Sequence, residues 1–121
     1  MTEIKPAKAS PRFEGETLKW YVNNTFSVEW GIDLTKDDEP YEFDEDDTIV
    51  FEFYKNSIGK EPVHTFTFEN IQDNTVSLDF TEAITSKFPI GKYVYCAKFI
   101  DKEGVIVTIF AKKRAEVEAC H

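Results

Sequence analysis

Hydrophobic and polar residues alternate along most of this chain, and a period of two predicts β-strands with one buried face. The pattern is clearest between residues 26 and 32, where Phe26, Val28, Trp30 and Ile32 alternate with smaller or polar residues. Alternation from Phe13 onward also predicts strands near residues 18–22, 48–55, 66–68, 76–80, 93–100 and 105–113. The tail through Val117 is consistent with an extension of the last strand.

Turn-forming residues separate these segments. Asn23-Asn24 and Asp73-Asn74 are typical of tight turns, and Gly104 suits a backbone position with positive φ in the last hairpin. Residues 81–88 break the alternation and predict one short helical turn before Pro89. About seven antiparallel strands joined by regularly spaced turns predict an all-β fold, either a sandwich or a barrel.

The length of 121 residues fits a single domain. Residues 1–12 show no alternation and contain two prolines, so an extended or disordered arm is expected there. Residues 13–121 are expected to form one β-sandwich domain. The arm has a basic excess, and its basic residues are Lys5, Lys8 and Arg12.

The negative charge of the chain is concentrated in one loop. Between Asp33 and Asp47 there are nine acidic residues and one lysine, whereas the other residues have fourteen acids against thirteen bases and the total is −9. A general nucleic-acid binder presents a basic surface, so this charge argues against one. Pro40-Tyr41 and Phe43 interrupt the acidic loop, and we expect them to anchor it to the core.

The most acidic part of the loop is the run Asp44, Glu45, Asp46, Asp47. Calcium takes about six to eight oxygen ligands from acids that alternate around a sharp turn, and this run lacks both that spacing and a glycine. A solvated loop is the simplest interpretation. The alternative is a patch complementary to a basic partner. A second copy of the chain offers such a partner in its N-terminal arm and in Lys112-Lys113-Arg114.

The last predicted hairpin is apolar on both faces, although a sandwich strand needs only one buried face. Either a loop or the N-terminal arm covers the second face, or that face packs against another subunit. On the second interpretation, the candidate assembly interface consists of apolar residues of the hairpin and the charged residues above: Val94, Ile106, Phe110, Lys5, Lys8, Arg12, Asp44, Glu45, Asp46 and Asp47.

The sequence shows no catalytic constellation. A nucleophile needs a base within reach, and the chain has two histidines, His64 and His121, and two cysteines, Cys96 and Cys120. Cys96 lies in an apolar strand, where a cysteine usually behaves as a small buried residue. Zinc-site spacing and a glycine-rich phosphate loop are both missing, so no metal or cofactor is expected.

Glycans are a second class of partner that the residues leave open, because exposed aromatic side chains form platforms for sugars. Tyr21, Tyr41, Tyr54 and one of the pair Tyr93 and Tyr95 are the candidates. No membrane association is expected, since no apolar run is long enough to span a bilayer. Residues 1–12 lack the apolar centre of a secretory signal, so we expect the protein to stay in a cytosol or to leave it by lysis or a leaderless route.

Three segments resemble the immunoglobulin-like domain at the N-terminus of phage baseplate upper proteins and related tail proteins. Residues 12–22, RFEGETLKWYV, are similar to a strand that carries Arg-Gly-Asp-Thr. Residues 37–53, DDEPYEFDEDDTIVFEF, resemble a segment in which Pro-Tyr and a following apolar residue fold a loop back before the next strand. Residues 74–109 are similar to the closing part, where a short helical piece and Pro-x-Gly-x-Tyr-x-Tyr precede the final hairpin.

This resemblance covers residues 12–117 and implies an immunoglobulin-like β-sandwich with a structural role in a phage or prophage virion. Gly15 and Thr17 keep the family's pattern, whereas the acidic run replaces the family's glycine after the folded-back segment. The family's shared residues are structural and carry no active site. We therefore expect a non-enzymatic component of a tail, baseplate or head decoration.

Its expected partners are copies of itself or neighbouring virion proteins. Its expected location is the bacterial host cytoplasm before assembly and the virion afterwards. Baseplate proteins of this kind continue beyond this domain into receptor-binding or fibre regions. This sequence ends at the corresponding point, so we expect a stand-alone virion component.

Overall fold

A computed structural model describes residues 12–14, 17–56 and 59–119. These residues form ten strands and one short helix, so the fold is mostly β, as the alternation predicts. The elements are β1 (Arg12–Glu14), β2 (Thr17–Tyr21), β3 (Phe26–Gly31), β4 (Thr35–Lys36), β5 (Glu39–Pro40), β6 (Thr48–Tyr54), β7 (His64–Phe68), β8 (Thr75–Phe80), α1 (Glu82–Thr85), β9 (Gly91–Ile100) and β10 (Ile106–Glu118).

Six strands form the main sheet in the order β1-β2-β10-β9-β6-β7, and this sheet curls like half of a barrel. β3 and β8 form a second, two-stranded sheet, and β4 and β5 form a small ribbon. The second sheet packs against the inner face of the main sheet. Trp30 of β3, for example, lies 5.9 Å from Phe51 of β6 between ring centroids, and Phe80 of β8 lies 5.7 Å from Phe53.

The prediction that all strands are antiparallel is wrong at one pair. β2 and β10 run parallel, with Leu18 opposite Ala115 and Trp20 opposite Val117. Alternation predicts which face of a strand is buried, but it does not predict which strand lies beside it. The last strand extends to Glu118, as its pattern suggests, and this extension provides the edge with which β2 pairs.

Three short strands were not predicted, because two or three residues are too few to show alternation. β4 and β5 lie within the acidic loop, where Thr35 is opposite Pro40. β1 pairs antiparallel with β2, so its first residue, Arg12, belongs to the sheet although the sequence places it in the arm. The predicted helical turn is confirmed as α1, and Gly104 has the predicted positive φ of 85°.

Aromatic side chains dominate the core between the two sheets. The Phe53 ring stacks on Tyr95 with 4.6 Å between centroids, and the Phe88 ring approaches it edge-on at 5.6 Å. Trp20 contacts Phe80 at 5.1 Å. These five residues are all buried. Since burial of one large apolar side chain contributes about 1.5–3 kcal/mol, this cluster makes a large contribution to stability.

Tyr93 ties the beginning of β9 to the segment that follows α1. Its hydroxyl donates a hydrogen bond to the Pro89 carbonyl, and its ring packs against Phe88 with 5.1 Å between centroids. Burial raises the pKa of the Tyr93 hydroxyl, so it stays protonated and keeps donating. This contact fixes the corner at which the chain enters the main sheet.

β10 contains two irregularities in its pairing with β9. The register shifts between Thr108 and Phe110 and again between Phe110 and Lys113, and Lys112 has a φ of 57°. Each bulge adds a residue and changes which side chains face the core. As a result, Phe110 lies opposite the buried Ala97 and not on the face that Ile106 occupies.

Candidate assembly surfaces

The acidic loop, residues 33–47, is anchored to the end of the main sheet. The Tyr41 ring lies 5.5 Å from Phe99 and 5.8 Å from Phe43, between centroids. The Tyr41 N–H also donates to the Leu34 carbonyl at 2.8 Å, which closes the β4–β5 ribbon. The predicted anchoring of this loop by Tyr41 and Phe43 is therefore confirmed.

Asp47 differs from the other acids of the run. Its side chain is 1% exposed and accepts hydrogen bonds from the Tyr41 hydroxyl at 2.6 Å and from the Asp44 N–H at 2.8 Å. Its own N–H donates to the Asp44 carbonyl at 3.0 Å, which forms a tight turn. Asp47 therefore holds the loop in shape and does not present its carboxylate to a partner.

The electrostatics of the Tyr41 hydroxyl follow from this arrangement. The hydrogen bond to Asp47 raises the pKa of Tyr41 to about 12, with further contributions from burial and from the charges of Asp47, Asp44 and Asp101. A tyrosinate at this position would face a carboxylate at hydrogen-bond distance. The neutral phenol is thus strongly favoured, and the anchor is formed throughout the neutral range.

The exposed acids of the run are Asp44, Glu45 and Asp46. Asp46 donates its N–H to the Asp44 carboxylate at 3.3 Å, so the turn is supported by its own side chains. Within the described residues, no group of three or more His, Cys, Asp and Glu side chains is arranged to hold a metal ion. The three carboxylates are solvent-facing charges on a well-anchored turn.

The second surface is the open edge of β10, which we define as Ile106 and Val107 together with Val105, the residue that precedes the strand. These side chains are 53%, 61% and 47% exposed. β9 pairs with this part of β10 on one side, whereas the pairing with β2 begins only at Arg114, so no described strand covers the other side. Ile106, a predicted interface residue, thus lies on an apolar strand edge that faces solvent.

Phe110 and Val94, the other apolar candidates, lie elsewhere. The Phe110 ring is within 5.2 Å of Trp30 and 5.7 Å of Tyr95, between centroids, so it completes the core. The prediction that Phe110 faces outward is wrong because the bulges of β10 reverse its direction. Val94 is half-buried on the outer face of the main sheet, opposite Arg114 of β10 and Tyr54 of β6.

Val94 is part of a third surface, a groove of about 380 Å³ at the end of the main sheet where β9 begins. We call it the basic groove because three exposed cations line it: Lys55, Lys92 and Arg114. The other described residues that line it are Thr17, Asn56, Tyr93, Val94 and Glu116. Lys55 and Lys92 are not predicted as a site from the sequence, because they are distant from Arg114 along the chain. They come close to Arg114 only because β6, β9 and β10 are neighbours in the main sheet.

The basic residues predicted as partners for the acidic loop lie only in part within the described residues. Lys5 and Lys8 lie outside the described residues, and of Arg12 only the strand position is described. The cluster Lys112-Lys113-Arg114 is split by the second bulge. The Lys113 ammonium lies 5.5 Å from the centroid of the Phe110 ring, whereas Arg114 faces the basic groove.

The structure does not bring His64 and Cys96, the described histidine and cysteine, together. His64 lies opposite Phe53, which faces the core, whereas Cys96 lies opposite Glu52 on the outer face. The two residues therefore project from opposite sides of the sheet. Burial and the nearby Lys87 lower the pKa of His64, while burial and Glu52 raise the pKa of the Cys96 thiol. Cys120 and His121 lie outside the described residues.

The tyrosines proposed as a sugar platform are also dispersed. Tyr93 and Tyr95 are both buried, so the expectation that one of them faces solvent is wrong. They are two residues apart on one strand and share its inner face. Tyr41 is engaged with Asp47, and Tyr54 lies on the outer face beside Val94.

Neither the models of known protein families nor the curated proteins contain a match to this chain. The described part of the chain has no helix that is long and apolar enough to cross a membrane.

Proposed function

We propose that this chain is a non-enzymatic structural component of a phage or prophage virion and acts through protein–protein assembly contacts. Its place would be a tail, a baseplate or a head decoration. The observation that carries this proposal is the open edge of β10. Natural proteins usually protect sheet edges with charges, prolines or covering loops, and this edge presents three large apolar side chains instead.

An exposed apolar strand is suited to pairing with another chain. On the side away from β9, its backbone groups pair with no described strand and can extend a neighbouring sheet, and its side chains give additional apolar contact. Val105, Ile106 and Val107 are each at least 47% exposed, so about half or more of the surface of each residue is still available for burial. A partner strand that covers them would bury the exposed apolar surface and would give hydrogen-bond partners to backbone groups that no described strand pairs.

The resemblance to immunoglobulin-like baseplate domains supports the choice of a virion as the assembly. β10, β9, β6 and β7 share one sheet while β3 and β8 form the other, a distribution like that of strands G, F, C and C′ against B and E in variable-type immunoglobulin domains. Tyr93 bonds back to Pro89 at the start of β9, as the tyrosine of an immunoglobulin corner does at strand F. The curled main sheet and its parallel pair are this chain's departures from that plan.

Purified particles provide the test. Particles from a host that carries the gene should contain the chain in a fixed ratio to the major structural protein, measured by mass spectrometry and by an antibody against the purified domain. Ile106→Lys and Val107→Lys are expected to leave the thermal midpoint almost unchanged and to lower incorporation strongly. Ala83→Lys, at an exposed position of α1, is the matched control and should incorporate normally.

Absence of the wild-type chain from particles that carry their full set of other proteins would overturn the proposal. Equal incorporation of the edge variants and the control would remove the open edge of β10 as its basis.

A further inference from the structure

We propose that the basic groove binds the acidic loop of a second copy of this chain. The inference names a partner for the assembly role proposed above and rests on that role. The two surfaces have opposite charge, and both are part of one chain. Contact between them would therefore join identical copies through two different patches.

Among the described lining residues, the groove has three cations and one carboxylate, and that carboxylate, Glu116, lies opposite Lys92 on the neighbouring strand. Among the described residues, neither Lys92 nor Arg114 forms an ion pair, and both are exposed. Glu116, the one carboxylate among the described lining residues, is 3.6 Å from the Lys19 ammonium and is paired there. The groove thus presents net positive charge over a volume of about 380 Å³.

The groove also has an ordered apolar wall. The Lys55 ammonium lies 4.9 Å from the centroid of the Tyr93 ring, and Tyr93 is itself fixed by its hydrogen bond to Pro89. Val94, which is half-buried on the outer face of the sheet, adds the aliphatic part of this wall. A ligand with carboxylates around a compact turn would therefore meet charge at the rim and apolar contact at the wall.

The acidic loop has that form. The turn exposes Asp44, Glu45 and Asp46, and the hydrogen bonds of Asp47 with the Tyr41 hydroxyl and the Asp44 N–H hold it in place. Because the turn is already ordered in the free protein, little conformational entropy is lost when it docks. Arginine and lysine beside carboxylates also give charge-assisted hydrogen bonds, which are stronger than neutral ones.

The two surfaces cannot meet within one molecule. Lys92 lies near the beginning of β9, whereas Ile100 at its end pairs with Thr48, directly after the acidic loop. With a rise of about 3.3 Å per residue, these positions are about 26 Å apart along the strand. Contact between the loop of one copy and the groove of another either is reciprocal, which closes a two-fold dimer, or is heterologous, which builds rings or filaments when it propagates.

Two variants test this contact by complementation. The loop variant, Asp44→Asn, Glu45→Gln and Asp46→Asn together, keeps the groove and loses the loop charges. The groove variant, Lys92→Gln and Arg114→Gln together, keeps the loop and loses the rim. Sedimentation velocity should show concentration-dependent association of the wild-type chain, loss of association for each variant alone, and dimers when the two variants are mixed in equal amounts.

Net charge alone gives the opposite expectation for the loop variant. Its three changes reduce the formal net charge from −9 to −6, and weaker general repulsion would favour association. Matched controls are Glu61→Gln, Glu69→Gln and Glu82→Gln together, and Lys60→Gln with Lys102→Gln, all at exposed positions. Both controls should associate like the wild type. Raising the salt from about 0.01 M to about 1 M, which shortens the Debye length from about 30 Å to about 3 Å, should dissociate the wild-type assembly.

A wild-type chain that stays monomeric, or variants that do not complement each other, would overturn the inference. If the chain is then still found in particles, the proposed virion role stands and only this contact is lost. Complementation together with absence from particles would support the contact and reject the virion role.

Discussion

The Tyr41 hydroxyl donates a 2.6 Å hydrogen bond to the buried carboxylate of Asp47. This one bond joins the middle of the acidic loop to the residue that precedes β6, so it couples a highly charged surface to the core. Removing either partner should loosen the loop without disturbing the sheets, and the pH dependence of stability should report on the bond.

High pH should destabilise the protein through Tyr41. Its pKa is about 12 in the folded state against 10.0 for an unperturbed tyrosine, so the folded state binds this proton more tightly. The contribution is fully present below about pH 10 and is lost as the pH rises toward 12. Urea denaturation across this interval should show a smaller loss of unfolding free energy for Tyr41→Phe than for the wild type, and an equal loss would contradict the assignment.

Removal of the hydroxyl should change the unfolding free energy differently at the two tyrosines of β9, Tyr93 and Tyr95. Tyr93→Phe removes the hydrogen bond to Pro89 and should lower the unfolding free energy by about 0.5–1.5 kcal/mol. The Tyr95 hydroxyl is buried with no hydrogen-bond partner among the described residues, so Tyr95→Phe should leave stability unchanged or raise it. Chemical denaturation measures both variants, and a larger loss for Tyr95→Phe would refute this distinction.

Gly104 should tolerate asparagine better than alanine. Its φ is 85°, and a Cβ at this position would meet no atom within 4 Å, so the cost of substitution is purely conformational. Gly104→Ala should lower the unfolding free energy by about 1–2 kcal/mol. Gly104→Asn should cost less, because asparagine adopts this region more readily. Similar thermal midpoints for wild type and Gly104→Ala would show that the hairpin tip rearranges.

Cys96 should react slowly with alkylating reagents. Burial raises the pKa of its thiol, and the Glu52 carboxylate, to which the thiol donates at 3.7 Å, raises it further. In a Cys120→Ser background, Glu52→Gln should increase the rate of iodoacetamide labelling near neutral pH, because the thiolate is the reactive form. Glu69→Gln is the control at an exposed position. No increase for Glu52→Gln relative to this control would contradict the role of the carboxylate.

Much of this fold can be predicted from the sequence, because alternation places Val28, Phe51 and Tyr95 on buried faces and all three are buried. Neighbour relations cannot be predicted in that way. The parallel pairing of β2 with β10 and the direction of Phe110 depend on tertiary contacts and on bulges that local residue preferences do not determine.

Some of the candidate surfaces can likewise be predicted from the sequence, and others depend on tertiary contacts. The acidic loop and Ile106 are visible as charge and apolar pattern, whereas the separate role of Asp47 depends on a hydrogen bond across six residues. The basic groove has no local signature at all. Lys55, Lys92 and Arg114 belong to different parts of the chain, and only the order of the strands places them around one opening.

The pairing of Trp20 with Val117 has a consequence for how the protein folds. The partner strand of β2 lies nearly a hundred residues later in the chain, so β2 cannot join the main sheet until residues 114–118 have been made. Contacts between such distant parts of a chain are slow to form, because a long loop must close first. Leu18 and Trp20 therefore lack their parallel neighbour until that strand is made, and apolar side chains exposed in such an interval favour aggregation of the growing chain.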